Sequence, residues 1–252
     1  MRVNCYEIVY DEDNKKGEYR VMRELLTQTT LFGVVISLLC YEVGLVIKKK
    51  TKFALANPLL IAVIMIIAFL LIFDVDYETY NQGARYISIF LTPATVSLAI
   101  PLYRQLTLLK RYPKAIMGGI TAGVLTAMVS IFLMSLVFGL NHQQYVTLLP
   151  KSITTAIGIG VSEKMGGIAT ITVVAISITG IGGNIMAESI CRLFKIEEPI
   201  AKGLAIGTSA HAMGTAKAME MGEVEGAMSS LSIVVAGIMT VVTVSMFANL
   251  IP

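Results

Sequence analysis

Between Phe53 and Phe73 the chain runs 21 residues without a charged side chain. That is enough helix to cross about 30 Å of hydrocarbon. A second uncharged stretch, Ala115–Leu140, repeats the demand. Inside a bilayer every backbone N–H and C=O must be paired within the protein, so such stretches fold as helices or closed barrels. Apolar runs of this length, unalternated, specify helices. The composition agrees. Of 252 residues, 55% are hydrophobic and only 15% charged, with a mean hydropathy of +0.74, against about 25% charged in soluble domains. The sequence therefore predicts an all-α polytopic membrane protein embedded in a lipid bilayer.

Further spans are expected at Leu25–Ile47, Gly166–Ile190 and Gly226–Ile251, with residues 1–24 as a polar extramembrane arm and 25–252 as one transmembrane domain. The arm lacks the apolar core of a secretory signal. Cys5, Cys40 and Cys191 have no CxxC spacing, which gives neither a disulfide framework nor a thiolate metal site. With His142 and His211 the only histidines, no metal site and no cofactor is expected. A net charge of +3, carried by loop lysines, does not imply nucleic acid.

Two segments are apolar yet interrupted. Residues 86–103 hold Pro93 and Pro101 with Thr92, Thr95 and Ser97 between them. A proline removes an N–H and frees carbonyls of the preceding turn, which is tolerated at membrane depth only against protein or a wet cavity. A broken helix at a binding site and a proline-kinked span both fit. Residues 148–167 contain the second interruption. LTPATVSLAIPL (91–102) and LLPKSITTAIGI (148–159) align 57 residues apart, and the spans that follow them fall into step. This reads as an internal repeat of a broken helix plus a span, the way many secondary carriers build a midplane site.

Within the second copy Lys151 stands beside Ser152, Thr154 and Thr155, after Pro150 and before Gly158. An intramembrane lysine marks a substrate or ion path, or else snorkels to the interface from the end of an element. The stretch 199–230 is the third unusual one. It sits between apolar blocks, is crowded with small residues, and holds Ser209, His211 and Thr215. His211 suits a proton carrier and equally suits helix packing. GxxxG spacings from Gly119, Gly203 and Gly222 favour helix pairing and leave a homo-oligomer open. His142 is expected as a solvated loop residue, Asn184 as an interhelical hydrogen bonder, and Glu188 as a partner of Arg192 four residues on.

The basic connections are KKKTK (48–52), 104–114 and 191–202, whereas 74–85 and 139–146 hold only Arg85. The positive-inside rule then puts the N-terminus outside. Six to eight membrane segments fit, with 145–162 re-entrant and 200–218 either re-entrant or crossing.

YNQGARYISIFLTPATVSLAIPLYRQ, LLPKSITTAIGI, GLAIGTSAHAMGTAKAMEMGEVEGAMSS and ANPLL together resemble the LrgB/CidB family from about residue 28 onward. The chain departs from the usual pattern at Ala156, where a proline is common, so that Gly158 is expected to supply the irregularity. The resemblance implies an antiholin-like modulator of murein hydrolase activity and autolysis, acting with a small LrgA/CidA-like membrane partner in the bacterial cytoplasmic membrane. It also implies a kinship with carriers of pyruvate, glycolate or glycerate. The residues favour a carrier of small carboxylates that binds through Thr95, Ser97, Lys151, Ser152, Thr154, Thr155, Ser209, His211 and Thr215. An enzyme is not expected, since no acid is placed to orient His211 beside Ser209.

Overall fold

The computed structural model describes residues 29, 31–51, 57–97 and 99–251, with the side chains of Leu91, Thr95, Pro101, Leu102 and Leu106 left aside. The arm expected at 1–24 lies outside the described residues. Every regular element among the described residues is helical, and the chain divides into two compact units, Met1–Ala94 and Thr95–Pro252.

In the first unit, α1 (Phe32–Thr51) and α2 (Pro58–Ile72) form an antiparallel pair. Gly44 lets α1 approach the backbone of Pro58, and Phe32 meets Phe69 near the opposite end with ring centroids 5.9 Å apart. Asn57 caps α2 by accepting from Leu59 N at 2.9 Å, with Pro58 in the first turn where its missing N–H costs nothing. The stretch read as an acidic loop, 74–85, contains a short helix, α3 (Tyr77–Ala84). Asp76 caps it by accepting from Thr79 N at 2.9 Å, and those bonds hold the Asp76 carboxyl below its ordinary pKa. The backbone of α3 lies against Gly33.

A broken run follows: a 3-10 turn at Ile87–Phe90, then α4 (Leu91–Ser97), α5 (Ala99–Arg104) and α6 (Leu106–Arg111). Pro93 and Pro101 each sit at the third residue of their short helix, so each begins a piece rather than kinking one.

The second unit is built on three long apolar helices, each long enough to span a membrane: α7 (Pro113–Phe138), α10 (Ala169–Leu193) and α12 (Glu223–Ala248). Between them lie α8 (His142–Leu148), α9 (Thr155–Lys164) and α11 (Pro199–Met221). Helices α7 and α12 run parallel. Ile116 and Ile120 pack with Ala227 and Met228 near one end, and Met128 and Ile131 pack with Val244 and Ala248 near the other. The first end carries Arg104, which meets Glu223 at 3.8 Å, together with the basic segments 104–114 and 191–202. We call it the basic end. Helix α10 runs the opposite way, from Thr172 beside Thr147 to Glu188 beside Lys217.

Helices α8 and α9 form a hairpin that enters from the far end. Tyr145 donates to Phe247 O at 2.9 Å and His142 Nδ1 meets Ile251 O at 2.6 Å. His142 is thus tied to the chain terminus rather than free in a loop. Thr172 Oγ1 stitches the base of the hairpin, donating to Thr147 O at 2.8 Å and meeting Ser162 Oγ at 2.7 Å. The reversal itself occupies 149–154, around Pro150. The irregularity expected at Gly158 is not there. Gly158 lies inside α9, where a Cβ would come 2.5 Å from Ile176 Cδ1; its bareness serves close packing on α10.

Helix α11 also folds back on itself. His211 has φ 42° and ψ −137°, which no α-helix accommodates. A Cβ on Gly214 would lie 3.2 Å from the Ile206 carbonyl oxygen, although eight residues of unbroken helix separate those positions by about 12 Å. The arm 199–210 runs alongside α12 in the same direction, with Gly203 against Met228 and Gly207 against Ser232. The arm 212–221 returns, with Thr215 bonded to Ser229 at 2.7 Å and Gly226 against Met219. Each arm is about 18 Å long at most, roughly half the hydrocarbon depth. The segment 200–218, left open between crossing and re-entry, therefore has the geometry of re-entry from the basic end.

Candidate functional site

Hairpin-plus-span occurs twice in opposite senses: 142–193 entering from the far end, and 199–248 entering from the basic end. The register between them is again 57 residues. Pro150-Lys151-Ser152 at the first reversal corresponds to Gly207-Thr208-Ser209, just before the second. The stretch 205–216 thus takes the topological place of 148–159, with Ser152 and Ser209 the one identity between them. Sequence comparison passes over it because glycine replaces the proline and His211 replaces Thr154.

These corresponding pairs line one cavity of about 1220 Å³. Lys151 and Ser152 enter it from one hairpin, Thr208 and Ser209 from the other, and Thr126 and Ser130 from the middle of α7. The Lys151 ammonium donates to Ser152 Oγ at 3.3 Å, and no carboxylate pairs with it among the described residues. A charge so placed is costly unless a partner is at hand. Thr154 occupies the N-cap position of α9 without a side-chain cap bond. Unpaired amides at a helix start favour negative charge.

Not every residue singled out from the sequence faces this cavity. Thr154 and Thr155 begin α9 but are not among its lining residues. Thr215 is fully buried, donating to His211 O at 2.9 Å and contacting Ser229 Oγ, so its hydroxyl fastens the hairpin. His211 is 3% exposed and its Nε2 lies 3.1 Å from Ile176 O; the ring donates there and pins the reversal to α10. Ser97 is exposed on α4, and the side chain of Thr95 lies outside the described residues. Ser209 Oγ donates to Ala205 O at 2.7 Å, which directs it away from a nucleophile's role toward His211.

Thr208, Thr126 and Ser130 escaped the sequence reading. Thr126 and Ser130 stand four apart on one face of α7, a spacing legible in the sequence but shared by many hydroxyls in apolar helices. Close approach of the elements depends on small residues. Gly123 abuts Thr208, Gly180 abuts the His211 ring, and Gly183 abuts Ala210. Asn184 Nδ2 donates to Met213 O at 2.7 Å, joining α10 to the returning arm as expected. A second, polar cavity of about 500 Å³ lies at the basic end, where Lys217 pairs with Glu188 at 3.3 Å and Glu220 at 3.2 Å. Glu188 also meets Arg192 at 3.5 Å. No cluster of potential metal ligands occurs among the described residues.

No solved structure matches the chain. Residues 37–250 match the LrgB-like family. Among curated proteins, Antiholin-like protein LrgB of Bacillus cereus (strain B4264) is 40% identical over 222 residues, covering 88% of this chain and 96% of the relative. Antiholin-like protein LrgB of Bacillus anthracis (strain CDC 684 / NRRL 3495) matches to the same extent. A family match across most of the length, with relatives at 40% identity end to end, means that this chain belongs to the LrgB-like family.

Proposed function

We propose that this protein is a carrier of small monocarboxylates, of pyruvate, glycolate or glycerate type, in the bacterial cytoplasmic membrane. It works there beside a small LrgA/CidA-like membrane protein, with the basic end inside and the N-terminus outside. The observation that carries the reading is Lys151: an ammonium at the reversal of one re-entrant hairpin, bonded among the described residues to Ser152, in a cavity shared with the opposed hairpin. The carboxylate would pair with Lys151, while Ser152, Thr208 and Thr126 hydroxyls meet the neighbouring oxo or hydroxyl group. The other cavity walls are mainly apolar, mixing Gly119, Ala122 and Ala205 with Leu108, Ile200 and Leu204. His211 is assigned to the hinge and not to proton transfer, because its ring is already bonded to Ile176. No enzymatic step is proposed.

The antiholin-like relatives support a second reading more directly than they support flux: an antiholin-like regulator of murein hydrolase activity and autolysis. The two part company in proteoliposomes. A carrier gives saturable uptake of labelled pyruvate or glycolate, suppressed by competing monocarboxylates and lost in Lys151→Met while the protein stays monodisperse. No saturable uptake with or without the partner, alongside partner-dependent changes in permeability or lysis, would establish the regulator instead.

A further inference from the structure

The two hairpins are related by inversion, but the barriers on either side of Lys151 are not equivalent. Toward the basic end the cavity extends from Lys151 and Ser152 past Gly123 and Gly119 to Tyr112 and Glu198, both exposed. Toward the far end the path is filled. Tyr145, Val146, Leu149 and Ile153 of the first hairpin, each no more than 2% exposed, pack against Met128 of α7 and Val244 of α12. Two bonds close this plug at its rim: Tyr145 Oη to Phe247 O at 2.9 Å, and His142 Nδ1 to Ile251 O at 2.6 Å. Both join α8 to the last turn of α12 and the residues after it. Neither has a counterpart among the described residues at the cavity mouth, where Tyr112 lines one wall and Glu198 the other.

We propose that this conformer is the one open to the basic end, and that the Tyr145–Phe247 and His142–Ile251 contacts are the latch of a gate at the far end. The proposal rests on the carrier reading. Exchange of access then requires α8 to leave α12, breaking both bonds together and exposing Lys151 to the far side. The opposed hairpin closes meanwhile over the cavity that is now open, as inversion-related elements allow. Phe247 O also accepts from Leu250 N at 3.0 Å, so it keeps a backbone partner when Tyr145 leaves, and Ile251 O lies beyond the end of α12. The latch is therefore one that water can replace when the gate opens.

Cysteine accessibility tests this in a background of Cys5→Ser, Cys40→Ser and Cys191→Ser. Vesicles of both orientations are treated with a membrane-impermeant maleimide, and uptake is measured in parallel on the cysteine-free background with Thr126 intact. Thr126→Cys, in the cavity wall, is expected to react from the basic side and to be slow from the other. Leu149→Cys, in the plug, is expected to react from neither. Adding Tyr145→Phe or His142→Ala should raise far-side labelling of Thr126→Cys about fivefold per lost bond. Equal labelling from both sides without the latch variants, ready labelling of Leu149→Cys, or no response to either variant would overturn the gate. Sided, latch-dependent labelling without any saturable uptake would keep the gate and sink the carrier reading, so the two failures are separable.

Discussion

The second hairpin exists because two backbones approach at Gly207, and that approach can be tested by adding one methyl group. A Cβ at position 207 would lie 2.7 Å from Ser232 Cβ and 2.9 Å from Ser229 Cα, where carbon atoms normally rest about 3.5–4.0 Å apart. Neither neighbour is the free end of a side chain. Relief requires the arm 199–210 to move off α12 by roughly 1 Å, which also stretches the contacts that fix the reversal, Thr215 to Ser229 among them. Overpacking of this kind costs about 1–3 kcal/mol, and helices in a membrane have little hydrophobic drive to restore the contact. Gly207→Ala should therefore lower the melting temperature of the purified protein, followed by size-exclusion chromatography after heating, by several degrees. Gly118→Ala is the control. Nothing lies within 4 Å of a Cβ there, and alanine is the better helix former by about 0.5–1 kcal/mol. A Gly207→Ala protein as heat-resistant as Gly118→Ala would refute the close approach, and with it the hairpin geometry.

Other substitutions probe the hinge and the core. His211→Gly should be more stable than His211→Ala by about 1 kcal/mol, since both lose the bond to Ile176 O but only glycine adopts φ 42° without strain; the same heating assay ranks them. Ser135 Oγ is buried in α7 without a hydrogen-bond partner among the described residues, so Ser135→Ala should leave stability unchanged or raise it by up to about 1 kcal/mol. A clear loss of heat resistance in Ser135→Ala would mean that the hydroxyl has a partner.

Much of this architecture is written in the sequence because the bilayer is a severe solvent. Phe53–Phe73, Ala115–Leu140, 166–190 and 226–251 have few alternatives to helix, and the corresponding helices are displaced by only a few residues, except that α2 begins at Pro58. The reversal near Pro150 was legible for the same reason, since proline in an apolar stretch cannot be absorbed silently. Lys151 announced itself by its cost. The reversal at His211 was not legible as such. No proline marks it, and a crossing helix and a re-entrant one both fit 200–218 without a break placed at His211.

What breaks that helix is tertiary. Gly183 admits Ala210, Gly180 admits the His211 ring, and Gly203 and Gly207 admit α12, so that packing on three sides outweighs one strained residue. Membership of the cavity was decided the same way. Thr126, Ser130 and Thr208 are no more polar than Thr215, and only the packing of the hairpins and α7 separates hydroxyls that line the cavity with Lys151 from one buried between helices. Local sequence determines where a chain must be helical and where it must break; which broken ends meet depends on close contacts between residues far apart in the chain, and those exist only in the folded protein.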